Sequence, residues 1–269
     1  MGIRSVDAMN PFMVRTGLAA MLTALMFAGG CCISADSLFK ATHQKTESVH
    51  LPAAGIRTLD IETRVGSITV NGSDVDEVHL SADIIVKAYS PEKAEELAEA
   101  VKIQIEPDGE TLRIRASLPD DTKKRSVTVN FEVSAPFDLT ARCRSTVGSV
   151  NINDMHGRID AETDVGSITC KGVVAQVKLR ANVGSVKVFC ASDAPAGFNA
   201  DIATNVGSIE LMAPKDLSAE VSAATNVGSV STTRPITVVG KLGKSMNGAI
   251  GGGDGKITLR TNVGSIEIR

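Results

Sequence analysis

One phrase, Val-Gly-Ser followed by Ile or Val, recurs seven times in this chain, with its glycines at Gly66, Gly148, Gly166, Gly184, Gly207, Gly228 and Gly264. A unit repeated at near-constant spacing constrains architecture more than any single residue does, because each copy must adopt the same local structure. From Gly148 onward the spacings are 18, 18, 23, 21 and 36 residues. The last interval reads as two periods with a degraded copy at Asn247-Gly248-Ala249-Ile250. With Gly248 as the missing corner, seven corners stack in sequence order from Gly148 to Gly264.

Within one repeat, Val177, Leu179, Ala181 and Val183 alternate with polar residues, as a strand with one buried face requires. Val186 and Val188 are apolar on the opposite parity, so the chain must turn at Gly184-Ser185 for both sets to enter one core. Glycine suits that corner because it has no Cβ to clash. The same switch follows Phe198, Ala200, Ile202, Thr204 and Val206, and again Ile257, Leu259, Thr261 and Val263. A coil of about 20 residues cannot bury its inner face alone, so neighbours stack, each against the next. The expected fold is mainly β: a single-chain, right-handed parallel β-solenoid over 137–269. Equivalent residues then form columns, and Asp164, Asn182, Asn205, Asn226 and Asn262 make a polar ladder before the corners. That ladder reads as structural; the functional alternative is a repeated polar column that binds a repetitive ligand such as a glycan.

The N-terminal half differs. Arg4 and Arg15, an apolar run from Gly17 to Ala28, and Gly29-Gly30-Cys31 describe a secretory signal over 1–31. The small residues before Cys31 resemble the lipobox of bacterial lipoproteins, with Ala28 where that motif commonly carries Leu. The resemblance implies lipidation of Cys31 and attachment to a membrane through the lipid. The other reading is plain secretion with cleavage near Ala35. Cys32 follows in place of an acidic residue, which points to the outer membrane, with a periplasmic or secreted protein as the alternative. Residues 32–52 are polar and aperiodic and read as a tether. Residues 53–136 read as a β-rich cap with a first coil around Gly66 and a turn at Asn71-Gly72. Ser90-Pro91-Glu92 followed by Ala94, Leu97, Ala98 and Val101 specifies one short helix. Flanking it are a strand through Val78–Val86 and a hairpin turning at Pro107-Asp108-Gly109. A cap over the end of the array answers the aggregation hazard of an open parallel edge.

From Ile56 to Arg269 this pattern resembles a bacterial putative-adhesin domain family of unknown function. The residues that carry the resemblance are Val65-Gly66-Ser67-Ile68-Thr69-Val70-Asn71-Gly72, the helix from Glu92 to Ala100, Val127 to Pro136, and Gly248 to Gly253 leading to Thr261–Ile266. It implies a β-solenoid on an exported or membrane-anchored protein, and it supplies no catalytic residues.

Composition narrows the function. A formal charge of −3 with mixed signs leaves no basic footprint for nucleic acid. The absence of Trp and a single tyrosine, Tyr89, argue against aromatic platforms. Cys143, Cys170 and Cys190 share the parity of core residues and read as buried free thiols. His43, His50, His79 and His156 are scattered, no Cys-x-x-Cys exists, and neither a metal nor another cofactor is expected. Asp74, Asp76 and Glu77 read as a solvated turn, and Gly251-Gly252-Gly253 as a tight return between coils. The expectation is a non-enzymatic, exported, lipid-anchored envelope module whose partner is an envelope protein or a glycan. A periplasm-facing scaffold or sensor is the alternative. A weaker rival is a glycan-active β-helix enzyme using Asp160, Glu162, Lys178, Arg180 or Asp201, which fall on outward positions.

Overall fold

The computed structural model describes residues 41–118, 126–238 and 244–269. The signal segment, Cys31, the first part of the expected tether and the charged loop Asp120 to Arg125 lie outside the described residues. The N-terminal part comprises β1 (Ala41–Pro52), β2 (Thr58–Val65), β3 (Ile68–Ser73), β4 (Glu77–Ala88), α1 (Pro91–Ala100), β5 (Lys102–Asp108), β6 (Thr111–Ser117) and β7 (Ser126–Pro136). Strand pairs joined by a glycine corner follow: β8 and β9 (Thr140–Val147, Val150–Asn153), β10 and β11 (Ile159–Val165, Ile168–Val173), and β12 and β13 (Val177–Val183, Val186–Cys190). Next come β14 and β15 (Ala200–Val206, Ile209–Met212) and β16 and β17 (Ala219–Val227, Val230–Thr232). β18 (Thr237–Val238) and β19 (Ser245–Ile250) precede the last pair, β20 and β21 (Gly255–Val263, Ile266–Ile268).

The strands before the corners form one sheet, ordered β18-β19-β16-β20-β14-β12-β10-β8-β2-β6-β5, and those after the corners form another, ordered β1-β4-β7-β3-β9-β11-β13-β15-β21-β17. From β2 to β16, and from β3 to β17, every neighbouring pair is parallel. Inward side chains of both sheets join one apolar cluster that includes Leu59, Ile68, Ile152, Ile168, Leu179 and Ile202, all fully buried. At one end the sheets close with antiparallel strands, β1-β4-β7 and the β5-β6 hairpin. The helix α1 starts as expected at an N-cap formed by Ser90, whose hydroxyl accepts from the Lys93 amide, and buries Ala94, Leu97 and Ala98.

Four expectations are corrected. Residues 41–52 are not a tether: they form β1, paired with β4 over the whole strand from Ala41↔Ala88 to Pro52↔Glu77. Their polar composition suits an outermost strand with one face in water, and Lys45, which binds Glu99 of α1 and Glu47, is the kind of charge that blunts an edge. Gly248 is not a corner; it lies inside β19, which runs antiparallel to β16. The strand pairs do not follow one another in sequence order, because β20-β21 inserts between β14-β15 and β16-β17. The chain gets there by passing β19 along the far edge of β16 and turning through Gly251-Gly252-Gly253 onto the near edge. Ser218 fastens that turn: its hydroxyl accepts from the Gly252 amide at 2.8 Å and donates to the Asp254 carboxylate at 2.6 Å. Finally, Asn71-Gly72 is not a turn but continues β3, where Gly72 passes against the Asp154 carbonyl, which a Cβ would approach to 2.1 Å.

The three cysteines among the described residues are free; Cys143 and Cys170 are buried and Cys190 is half-buried. Burial raises all three thiols, Cys170 and Cys190 to about 12. Because the thiolate is the nucleophile, native protein at pH 8 is expected to resist iodoacetamide at all three and to react fully in urea. The unfolded chain loses these protons nearer pH 9 and the folded one does not, so stability falls as pH rises from about 9 toward 12. Native labelling of Cys143 or Cys170 would contradict the described packing.

Candidate binding face

The corner glycines fall in one column, ordered Gly66-Gly148-Gly166-Gly184-Gly207-Gly264-Gly228. At each, a Cβ would lie only about 2 Å from the carbonyl oxygen of the preceding corner, or of Val129 at Gly66. Three residues before six of the seven corner glycines stands a hydroxyl that the sequence reading missed. Ser145 donates to the Gly66 carbonyl, Thr163 to Gly148, Thr204 to Gly184, Thr261 to Gly207 and Thr225 to Gly264, at 2.9–3.0 Å. Each is buried, so each satisfies an acceptor that water cannot reach. The signal was present as Thr-x-Val-Gly-Ser in most repeats, but alternation alone marks that threonine only as inward. The ladder skips one rung, at Ala181. Ala181→Thr is expected to supply the missing bond to the Gly166 carbonyl and stabilise the protein by about 1 kcal/mol, measured as a shift of the urea midpoint. Ala181→Val, which adds the bulk without the hydroxyl, should not.

The asparagine ladder forms in the spatial order of the corners. Asn205 Nδ2 donates to Asn182 Oδ1 at 2.6 Å, Asn262 to Asn205 at 3.0 Å and Asn226 to Asn262 at 3.1 Å. Asp164 occupies the next position beyond Asn182, and the hydrogen-bonded ladder begins at Asn182. Ser167, Ser185 and Ser208 hydroxyls each accept from the amide of the serine in the adjacent corner at 3.3 Å. The valines of the phrase differ from the expectation that they enter the core. Val65, Val147, Val165, Val183, Val206, Val263 and Val227 stand 38–59% exposed, because Asn-Val-Gly-Ser together make the corner and the last inward residue is the threonine.

The outer face of the first sheet is organised by charge. Arg113 and Arg115 lie on β6, Asp60 and Glu62 on β2, Arg142 and Arg144 on β8, Asp160 and Glu162 on β10, and Lys178 and Arg180 on β12, with Asp201 on β14, in matching register. Sign therefore alternates from strand to strand. Arg115 binds Glu62 at 3.1 Å, Arg144 binds Asp60 at 3.3 Å, and Arg180 Nη2 donates to Asp201 Oδ2. Exposed pairs of this kind contribute roughly 0–1 kcal/mol each, so their larger effect is on register, since like charges directly opposite are unfavourable. The outward residues weighed for an enzyme, Asp160, Glu162, Lys178, Arg180 and Asp201, are members of this alternating array. None of the cysteines, histidines or acidic residues described forms a group of three arranged to hold a metal ion.

Beyond β14 the alternation stops. Thr258 of β20 faces Asp201 and Ser222, and Arg260 stands between Ala203 and Ala224. Two shallow clefts open there. One, of about 310 Å³, is lined by Gln176, Asn199, Asp201, Lys256, Thr258 and Arg260. The other, of about 430 Å³, shares Lys256 and Thr258 and adds Glu220, Ser222 and Asn247. Together they form a groove across β14, β20, β16 and β19: polar side chains dominate the smaller cleft, Val221, Ala249 and Ile257 make much of the larger one apolar, and no aromatic ring lines either.

Among solved structures the chain is similar to a putative cell adhesion protein from Clostridium sporogenes, with TM-score 0.50 and 13% identity over 84% of this chain and 99% of that one. Weaker superpositions are found with a putative adhesin from Bacteroides fragilis (TM-score 0.29, 14% identity, 84% and 97% covered) and one from Parabacteroides distasonis (0.25, 11%, 84% and 97%). No family model and no curated protein matches the sequence. The Clostridium likeness shows a shared fold.

Proposed function

We propose that this chain is a non-enzymatic, adhesin-like interaction module of the bacterial envelope, built as a parallel β-solenoid whose coils stack through the glycine-corner column. The observation that carries the proposal is the fold shared with the Clostridium sporogenes protein over nearly the whole of that chain. Two features of the molecule support it. Its internal repetition is absorbed by stacking contacts, and its paired clefts over β14, β20 and β16 lie on a sheet face, where many weak contacts can add. Residues 1–31 serve, in this reading, as the export signal, with Cys31 as the lipidated anchor to the outer membrane.

The test is access on intact cells of the bacterium that makes the protein, probed with protease and with antibody against the folded domain, alongside a periplasmic marker. Digestion and staining of intact cells, with loss of adherence on deletion of the gene, are the expected results. Protection until the outer membrane is breached would reject adhesion and leave a periplasm-facing scaffold or sensor. Incorporation of labelled palmitate, abolished by Cys31→Ser, tests the anchor separately.

A further inference from the structure

We infer that the groove across β14, β20 and β16 is a binding site for an acidic glycan, with Arg260 as the residue that holds the sugar's acid group. The inference rests on the adhesin-like reading and names its ligand class. Along this face each arginine from β6 to β12 has an acidic residue opposite it on a neighbouring strand, whereas Arg260 has an alanine on both sides, Ala203 and Ala224. Neither the Arg260 guanidinium nor the Lys256 ammonium makes a hydrogen bond or ion pair among the described residues. Both open into the 310 Å³ cleft. A planar guanidinium left unpaired in a concavity is matched geometrically to a carboxylate or a sulfate, which it binds through two parallel hydrogen bonds.

The remaining lining selects a sugar over an acidic peptide. Thr258 and Gln176 present a hydroxyl and an amide, Asn199 is fixed by hydrogen bonds to Gly197 O and from Lys256 N, and carboxylates come from Glu220 opposite Lys256 and Asp201 opposite Thr258. Ring hydroxyls can donate to those carboxylates while one acid group per residue reaches Arg260. An acidic peptide has no ring hydroxyls to donate to Asp201 and Glu220 and meets them only with carboxylates of like charge. The two clefts lie side by side, sharing Lys256 and Thr258, and give space for more than one ring. Asp201 is held in place by Arg180, which binds its carboxylate and, at 2.8 Å, its main-chain carbonyl, so the acceptor is fixed before a ligand arrives.

Calorimetric titration of the full mature chain with tetragalacturonate, a sulfated tetrasaccharide, neutral maltotetraose and tetraglutamate tests the site. Binding of one or both acidic saccharides is expected, weakening at high salt, and the stronger of the two identifies the acid group. Arg260→Gln is expected to weaken that binding about tenfold or more, while Lys87→Gln, an equal change of charge on β4 at the far end of the molecule, leaves it unchanged. Both sites are exposed, and circular dichroism verifies that each variant folds. Equal binding of maltotetraose or tetraglutamate, unaltered affinity in Arg260→Gln, or no saccharide binding would each overturn the assignment. Cells that still adhere when purified protein binds none of the saccharides would remove this site but not the adhesin-like reading. Saccharide binding by a protein shielded inside the outer membrane would remove the reading and keep the site.

Discussion

Alanine at Gly184 is expected to destabilise the protein by at least about 3 kcal/mol, enough to abolish the folded array in a domain of ordinary stability. Two costs combine there. Gly184 has φ +151°, a conformation that side chains rarely adopt, and its new Cβ would lie 1.8 Å from the Gly166 carbonyl oxygen. That oxygen cannot retreat, because the corners on both sides are tied by the hydrogen bonds Gly166 N to Val183 O and Gly184 N to Val206 O. Gly55 provides the control: its φ is also positive, at +84°, but nothing lies within 4 Å of the position a Cβ would take. Gly55→Ala should therefore cost only backbone strain, about 1–2 kcal/mol. Urea unfolding of the two variants separates the effects. Equal losses would show that the left-handed backbone alone accounts for the corner and that the stacked carbonyl does not matter.

Deleting residues 255–269 is expected to have the second large effect, because these residues fill the interior of the stack although they end the chain. β20 pairs with β14 on one side and β16 on the other, and β21 with β15 and β17. Ile257, Leu259, Ile266 and Ile268 are fully buried there. Burial of four such side chains contributes roughly 6–12 kcal/mol, comparable to the whole stability of a domain. Removing them should leave β16 through β19 without a partner in the array, seen as protease cleavage throughout 214–238 and a lowered, broadened thermal transition. Had the coils stacked in sequence order, the same deletion would only trim an end. A truncated chain with a sharp transition and resistance to protease over 214–238 would mean that β16 can close directly onto β14.

The outcome of the deletion bears on what can be read from repeats. Each copy of Val-Gly-Ser carried its own corner, each run such as Val177–Ala181 its own inward face, and Ser90-Pro91-Glu92 its own helix start, because backbone sterics, side-chain alternation and capping act within a few residues. Those features were legible, as was the β5-β6 hairpin, although its turn falls at Gly109-Glu110 and Pro107 and Asp108 end β5. The threonine ladder was half legible: its members were inward by parity, but that a hydroxyl points at the next corner's carbonyl is a relation between coils. Likewise the alternating charges from Arg113 to Asp201 are ordinary surface residues until register places them side by side.

By itself, then, the sequence determined most of the strands, the corners at the Val-Gly-Ser copies, the helix α1 and a β architecture held together by stacking. Tertiary structure alone decided three things: that β1 is an edge strand, that the final coil lies inside the stack, and that Arg260 stands without a counter-charge. The physical reason is common to all three. Repeats with nearly identical edges can pair in more than one order, and β1, though it alternates in burial, places His43, Lys45 and Glu47 on its inner face and so shows no apolar periodicity in its sequence. Which partner each edge takes depends on connections far away in the chain, here the passage of β19 along β16 and the turn fastened by Ser218.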